Sequence, residues 1–140
     1  MPFHLHPQLE KDCFVLGTLE LCQLLLMNDQ NYPWCILVPQ VAGAREVHDL
    51  SENDQQQLLR ESSRLGRAMM QVFAGHKLNV AALGNQVPQL HIHHIVRYDS
   101  DPAWPKPVWG HTAAVAYAQA QRQARSQRLI AKLGIAAPDA

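Results

Sequence analysis

Neither sign of charge is in excess: Lys+Arg and Asp+Glu number 12 each, for a formal net charge of +0. The basic patch that would neutralise a nucleic-acid backbone or an anionic membrane surface is therefore missing, which argues against both as partners. Cysteine is scarce and unpatterned. Cys13, Cys22 and Cys35 are odd in number and form no CxxC pair, so neither a disulfide framework nor a zinc ribbon is expected, and a reducing cytoplasm fits best. Long hydrophobic runs are absent as well. The most apolar stretch, Leu19 to Met27, is short and interrupted by Glu20 and Gln23, too little for a membrane span. Met1-Pro2-Phe3-His4-Leu5-His6 lacks a charged and then apolar leader, so no signal peptide is expected. The 140 residues suit one compact unit with a real core.

Three apolar runs of strand length come first, Cys13 to Leu19, Cys22 to Met27 and Trp34 to Val38, the last two separated by the polar, Pro-containing stretch Asn28 to Pro33. They predict an antiparallel meander. Ser51-Glu52-Asn53-Asp54 resembles a helix start, and Leu58, Leu59, Leu65, Met69, Val72 and Phe73 then recur near helical spacing until Gly75. Leu78 to Leu83 and the run after Pro88 read as two arms of a hairpin. Asp99 to Gly110 is rich in Pro and Gly around Trp104 and Trp109 and predicts a loop whose tryptophans either pack on the core, the favoured reading, or form part of a base or partner pocket. Thr112 is expected to cap a final helix reaching about Leu133. No internal repeat is evident.

The most informative stretch is Gln89-Leu90-His91-Ile92-His93-His94-Ile95-Val96-Arg97. As a strand it places Gln89, His91, His93 and Ile95 on one face, and Leu90, Ile92, His94 and Val96 on the other. Same-face histidines can serve as a nucleophile with a helper, as metal ligands, or as half-buried polar packing, and spacing alone does not choose. His94, on the apolar face, is expected to be hydrogen-bonded structure.

This segment, from Leu78 to Arg97, resembles the signature of the histidine-triad (HIT) superfamily, in which a turn containing Gly or Asn leads into His-φ-His-φ-His-φ-φ with φ apolar. Trp34-Cys35-Ile36-Leu37-Val38-Pro39 is similar to that family's strand ending in Val-Pro, and Asp49-Leu50-Ser51 stands where its long helix begins. The likeness covers about Cys13 to Arg97 and is greatest to small bacterial members of the hydrolase type. It implies an α+β, HIT-like fold with an antiparallel β-sheet of about five strands, one long central helix and a C-terminal helix. A HIT-like domain over residues 1–110 would carry an extension over 111–140 packed on the same domain.

The resemblance also implies a chemistry. A nucleotide would lie with its phosphate over the histidine strand, and His91, in the place of the middle histidine, would attack the α-phosphorus to give a nucleotidyl-histidine that water hydrolyses. A neutral imidazole is a competent nucleophile for such a two-step route, with no cofactor or metal required. His93 matches the last histidine and would contact the phosphate or protonate the leaving group. Gln89 replaces the first, losing a titratable ring while keeping an amide and the carbonyl that orients His91. Trp34 stands where many members have a further histidine and cannot supply an imidazole.

For nucleotide binding the resemblance points to Asn28, with its neighbour Asp29, near the ribose, to Asn85 and Gln86 at the phosphate, and more weakly to Asn79; each is also explicable as turn or surface chemistry. The remaining histidines carry no site role: His4 and His6 are expected in a mobile terminus, while His48, His76 and His111 flank helices. A homodimer acting on a nucleotide or nucleotide conjugate, purine favoured, is implied. Two other readings stay open: a nucleotide-binding regulatory protein of the same fold with little turnover, and a metal-binding module using His91 and His93.

Overall fold

The computed structural model describes residues 2–137. Its sheet comprises β1 (Cys13–Thr18), β2 (Cys22–Met27), β3 (Trp34–Pro39), β4 (Lys77–Ala81) and β5 (Ile92–Arg97). The spatial order is β1-β2-β3-β5-β4, with each neighbouring pair antiparallel. The first three strands form the expected meander, because the connections between them are too short for a crossover. A long helix then carries the chain over the sheet, so that the β4–β5 hairpin returns with β5 beside β3. Every residue of β3 and β5 is buried, as befits adjacent inner strands covered on both faces.

That helix, α2 (Glu52–Val72), starts where the Ser51 hydroxyl accepts from the Asp54 N–H at 3.1 Å. Leu58, Leu65 and Met69 form its buried stripe. Within the stripe stands a buried carboxylate that the sequence did not single out. Glu61 accepts from the Leu21 and Cys22 N–H groups at 2.8 and 2.9 Å and from Gln57 Nε2 at 2.7 Å. These partners satisfy the charge and fasten the helix to the β1–β2 turn.

The two faces of the sheet are covered differently. On one, α2 and a C-terminal helix, α3 (Gln119–Leu133), close a core that includes Leu24, Leu37, Leu65, Met69, Ile92, Val96, Leu129 and Leu133. On the other, no long helix lies among the described residues. A short helix, α1 (Pro7–Asp12), and the Trp-bearing loop over 99–110 cover Leu25, Trp34, Ile36 and Ile95 with Leu9, Ala103 and Val108.

Two local expectations are corrected. The N-terminal segment is packed rather than loose: the His6 imidazole caps α1, its Nδ1 accepting from the Gln8 N–H at 3.1 Å, and Phe3 and Leu5 rest on the second core. The last helix begins at Gln119 and not at Thr112. Thr112 instead hydrogen-bonds the Tyr32 hydroxyl at 3.1 Å, and the chain after it is held extended by the 28–31 turn. Asn31 Nδ2 donates to the Ala113 carbonyl at 3.1 Å, Gln30 N–H to the Val115 carbonyl at 2.7 Å, and Tyr117 N–H to Asn28 Oδ1 at 2.9 Å. Backbone groups engaged in this way cannot also close helical turns. Residues 138–140, part of the expected extension, lie outside the described residues.

Candidate active site

The β3–β5 register builds the site. Trp34 pairs with Ile95 and Ile36 with His93, which makes Trp34 and His93 diagonal neighbours on one face, within reach for a large ring. The Trp34 indole N–H donates to His93 Nδ1 at 3.1 Å, and His93 Nε2 donates to the Leu83 carbonyl at 3.1 Å. An indole can only donate and a carbonyl only accept, so these partners fix the tautomer, with the proton on Nε2. Burial, and then the neighbouring His91, hold the His93 pKa down at about 4. Trp34 therefore does supply a ring N–H to the site, from an indole.

His91 lies one residue before β5 and is only 5% exposed. Its Nδ1–H donates to the Gln89 carbonyl at 2.8 Å, so that in the neutral ring the lone pair lies on Nε2. Gly84 is what allows the preceding turn to close on this ring. A Cβ there would stand 2.7 Å from the Val87 carbonyl oxygen and 3.1 Å from His91 Cε1. His91 and His93 meet edge to face with ring centroids 4.9 Å apart.

His94 points the other way, into the helix-covered core, where it is fully buried. Its Nδ1–H donates to the Ile92 carbonyl at 3.1 Å, and Nε2 accepts from the Ser62 hydroxyl on α2 at 2.7 Å. Burial lowers its pKa to about 4. Both nitrogens are occupied inside the core, the structural part expected of it.

Clefts flank the histidines. One of ≈ 310 Å³ is bordered by Leu9, Asp12, Asn85, Gln86, His91, His93 and Trp109. A second of ≈ 410 Å³ shares Asp12, Met27 and Trp109 with it and adds Lys11, Asn28, Asp29 and Trp34. A third of ≈ 220 Å³ reaches His91 from the side of Arg45, Glu46 and Gln89. The imidazoles of His91 and His93 both border the first of these.

The structure brings Asn85 and Gln86 to this site but gives the other amides further tasks. Asn28 borders the second cleft while its Oδ1 holds the Tyr117 N–H. Asp29 accepts from the Asn31 and Val115 N–H groups at 3.0 and 3.3 Å. Gln89 presents its carbonyl to His91, but its side chain is turned to the N-terminal segment. There Oε1 accepts from the His6 N–H and Nε2 donates to the His4 carbonyl, both at 2.8 Å. This latch holds down the segment leading into α1, whose Leu9 and Asp12 wall the first cleft.

Asn79 does not join the histidine clefts. Its Oδ1 accepts from Arg97 at 2.9 Å, beside a buried Arg97–Asp101 pair with contacts of 2.8 and 3.0 Å. Asp101 also accepts from the Ala103 and Trp104 N–H groups, so this cluster anchors the loop that carries Trp109. Trp109 both packs, 5.8 Å from Trp34, and stands against His93 at 5.1 Å, forming a wall of both clefts. Its place between Pro and Gly was the one sequence signal for an aromatic wall of this kind. The cysteines offer no rival nucleophile: all three are free and buried, and burial raises each thiol, that of Cys13 to about 12. Among the described residues no group of three or more His, Cys, Asp or Glu could hold a metal ion.

Comparison with known proteins agrees with this geometry. Residues 8–100 match the family model of the HIT domain. The chain is 52% identical to a histidine triad protein from Marinobacter aquaeolei, whose crystal structure superposes with a TM-score of 0.93, covering 96% of this chain and 98% of that one. A histidine triad protein from Bradyrhizobium japonicum gives 43% identity, coverages of 95% and 99% and a TM-score of 0.94. One from Sinorhizobium meliloti gives 41%, coverages of 93% and 96% and 0.91. A comparison with curated proteins returns no match. The sheet order, the histidine strand and these relatives together assign the chain to the histidine-triad (HIT) family.

Proposed function

We propose that this protein is a nucleotide hydrolase or nucleotidyl transferase. It acts at the α-phosphate of a phosphorus ester, anhydride or phosphoramidate through a covalent nucleotidyl-His91 intermediate. The observation that carries this reading is the His91 hydrogen bond to the Gln89 carbonyl at 2.8 Å. It keeps Nδ1 protonated and leaves Nε2 with its lone pair on a side chain that borders two clefts. His93 stands edge to face beside it with its N–H held by the Leu83 carbonyl, and the Asn85 and Gln86 amides lie within the same cleft as donors for phosphate oxygens. Asn28 is the ribose-side candidate, through its Nδ2. No cofactor enters the scheme. The buried free thiols favour a cytoplasmic setting. Among the described residues no helix is long and apolar enough to cross a membrane. Dimerisation fits the end position of β4 in the sheet, where Val80 is 50% exposed on a strand with a free edge.

The alternative, nucleotide binding with little turnover, is favoured by one observation: the Gln89 amide is committed to the N-terminal segment instead of the cleft. Incubation of the protein and His91→Ala with a panel of adenosine and guanosine phosphoramidates and dinucleoside polyphosphates separates the readings. Nucleoside monophosphate release with a nucleotidyl adduct by intact mass, both lost in the variant, is expected. Nucleotide binding without release or adduct would favour the regulatory reading.

A further inference from the structure

A histidine pair at a phosphorus centre can work with or without a proton to give to the departing group, and here the hydrogen bonds decide. His93 Nδ1 faces the Trp34 indole N–H, and its one ring proton, on Nε2, is directed to the Leu83 carbonyl. A second proton would sit on Nδ1 and oppose the indole N–H, donor against donor. His91 is similarly placed: its Nδ1 proton is held by the Gln89 carbonyl, and its Nε2 is the atom that would bond to phosphorus.

The surroundings give no relief. His91 and His94, on the same stretch of chain, would each oppose a charge on His93. β3 presents Trp34 and the 99–110 loop Trp109, neither ionisable. From α1, Asp12 borders the cleft but pairs with Gln8 at 2.8 Å. Lys11 lies in the neighbouring cleft, and Arg45 and Glu46 lie on the far side of His91. Among the described residues none of these four side chains forms a hydrogen bond or ion pair with either imidazole. The His93 pKa of about 4 agrees with the geometry.

We infer that Trp34 is a positioning residue that keeps His93 a neutral hydrogen-bond donor, leaving the site without a general acid and selective for leaving groups that depart as stable anions. This rests on the hydrolase reading above. Phosphate, pyrophosphate and carboxylate groups held in an anhydride meet the requirement, whereas an alkoxide or an amine needs a proton as it leaves. In the first step the His91 Nε2 lone pair forms the N–P bond, the P–O bond breaks, and its electron pair departs on the leaving oxygen with no proton transferred. In the second, a water oxygen bonds to phosphorus, the N–P pair returns to Nε2, and the water proton passes to solvent.

The test uses adenosine 5′-phosphoryl compounds with leaving groups of graded basicity, from pyrophosphate through phenols to an alkyl alcohol and an amine, assayed with the parent, Trp34→Phe and Trp34→His. In the parent, kcat/KM is expected to fall at least about 10²-fold from the most to the least acidic leaving group, the contribution a general acid would otherwise supply. Trp34→His, which places a titratable ring beside Nδ1, should shrink that fall to under about tenfold. Nitrogen-15 NMR of His93 reads the hold directly and without substrate: Nδ1 should stay unprotonated down to about 4 in the parent and protonate at higher pH in Trp34→Phe. Equal rates for the anhydride and the amine, or a His93 that titrates alike in the parent and Trp34→Phe, would overturn the inference. No turnover on any compound would overturn the hydrolase reading and the selectivity with it, while the NMR titration would still decide whether Trp34 holds His93.

Discussion

His93 and His94 are chain neighbours, both are buried, and both have pKa values held down near about 4. They nevertheless do different things. His94 faces the core closed by α2, where Ser62 and Ile92 occupy both nitrogens and the ring is fully buried. His93 faces the side covered by the N-terminal segment with α1, the 83–87 turn and the 99–110 loop, and there a cleft of ≈ 310 Å³ opens beside it and His91. Residue type and titration do not separate a structural histidine from one at a site. The immediate surroundings do: α2 packs closely on the fully buried His94 ring, while beside His93 the short helix, turn and loop leave room for a ligand.

The sharpest way to break this comparison is to remove a histidine from each face. His91→Ala should lower kcat/KM by about 10³-fold or more with little change in denaturation midpoint, checked by nucleotide release and urea unfolding. His94→Ala should do the reverse, costing roughly 2 to 4 kcal/mol of stability through a cavity and an orphaned Ser62 hydroxyl. Its folded fraction should keep parental turnover.

Acid should act on both faces alike. An unfolded imidazole binds its proton below about 6.5, whereas His93 and His94 in the folded chain resist protonation down to about 4. The stability from their neutral forms is therefore complete above pH 6.5 and is lost as pH falls toward 4, on the order of 3 kcal/mol per ring at most. Denaturation midpoints across that range check the sign, and His94→Gln should remove about half of the dependence.

Smaller effects sharpen the picture of the open side. Gly84→Ala, by pushing on the His91 ring, should cost about tenfold in kcat/KM. Gln89→Ala keeps the carbonyl that orients His91 but releases the N-terminal latch, for a stability loss of about 1 kcal/mol seen by urea unfolding.

Much of this was legible in the sequence. The meander, α2 and the β4–β5 hairpin follow from apolar periodicity, and the opposite facing of His91 and His94 follows from strand alternation. What escaped was set by long-range contacts. Nothing local to Thr112 reveals that Tyr32 binds its hydroxyl and that the 28–31 turn holds the next residues extended, delaying α3 to Gln119. The His4–His6 segment reads as a loose end until the Gln89 side chain is seen to grip it. The indole hydrogen bond from Trp34 to His93 depends on the β3–β5 register, which no single segment encodes.

The central claim is that His91 Nε2 bonds to phosphorus, and peptide mapping of the protein quenched during turnover of a dinucleoside polyphosphate tests it most directly. The account predicts a nucleoside-monophosphate mass on His91 alone, with His93 and His94 unmodified. An adduct on His93, or full turnover with no adduct on His91 at any quench time, would contradict it.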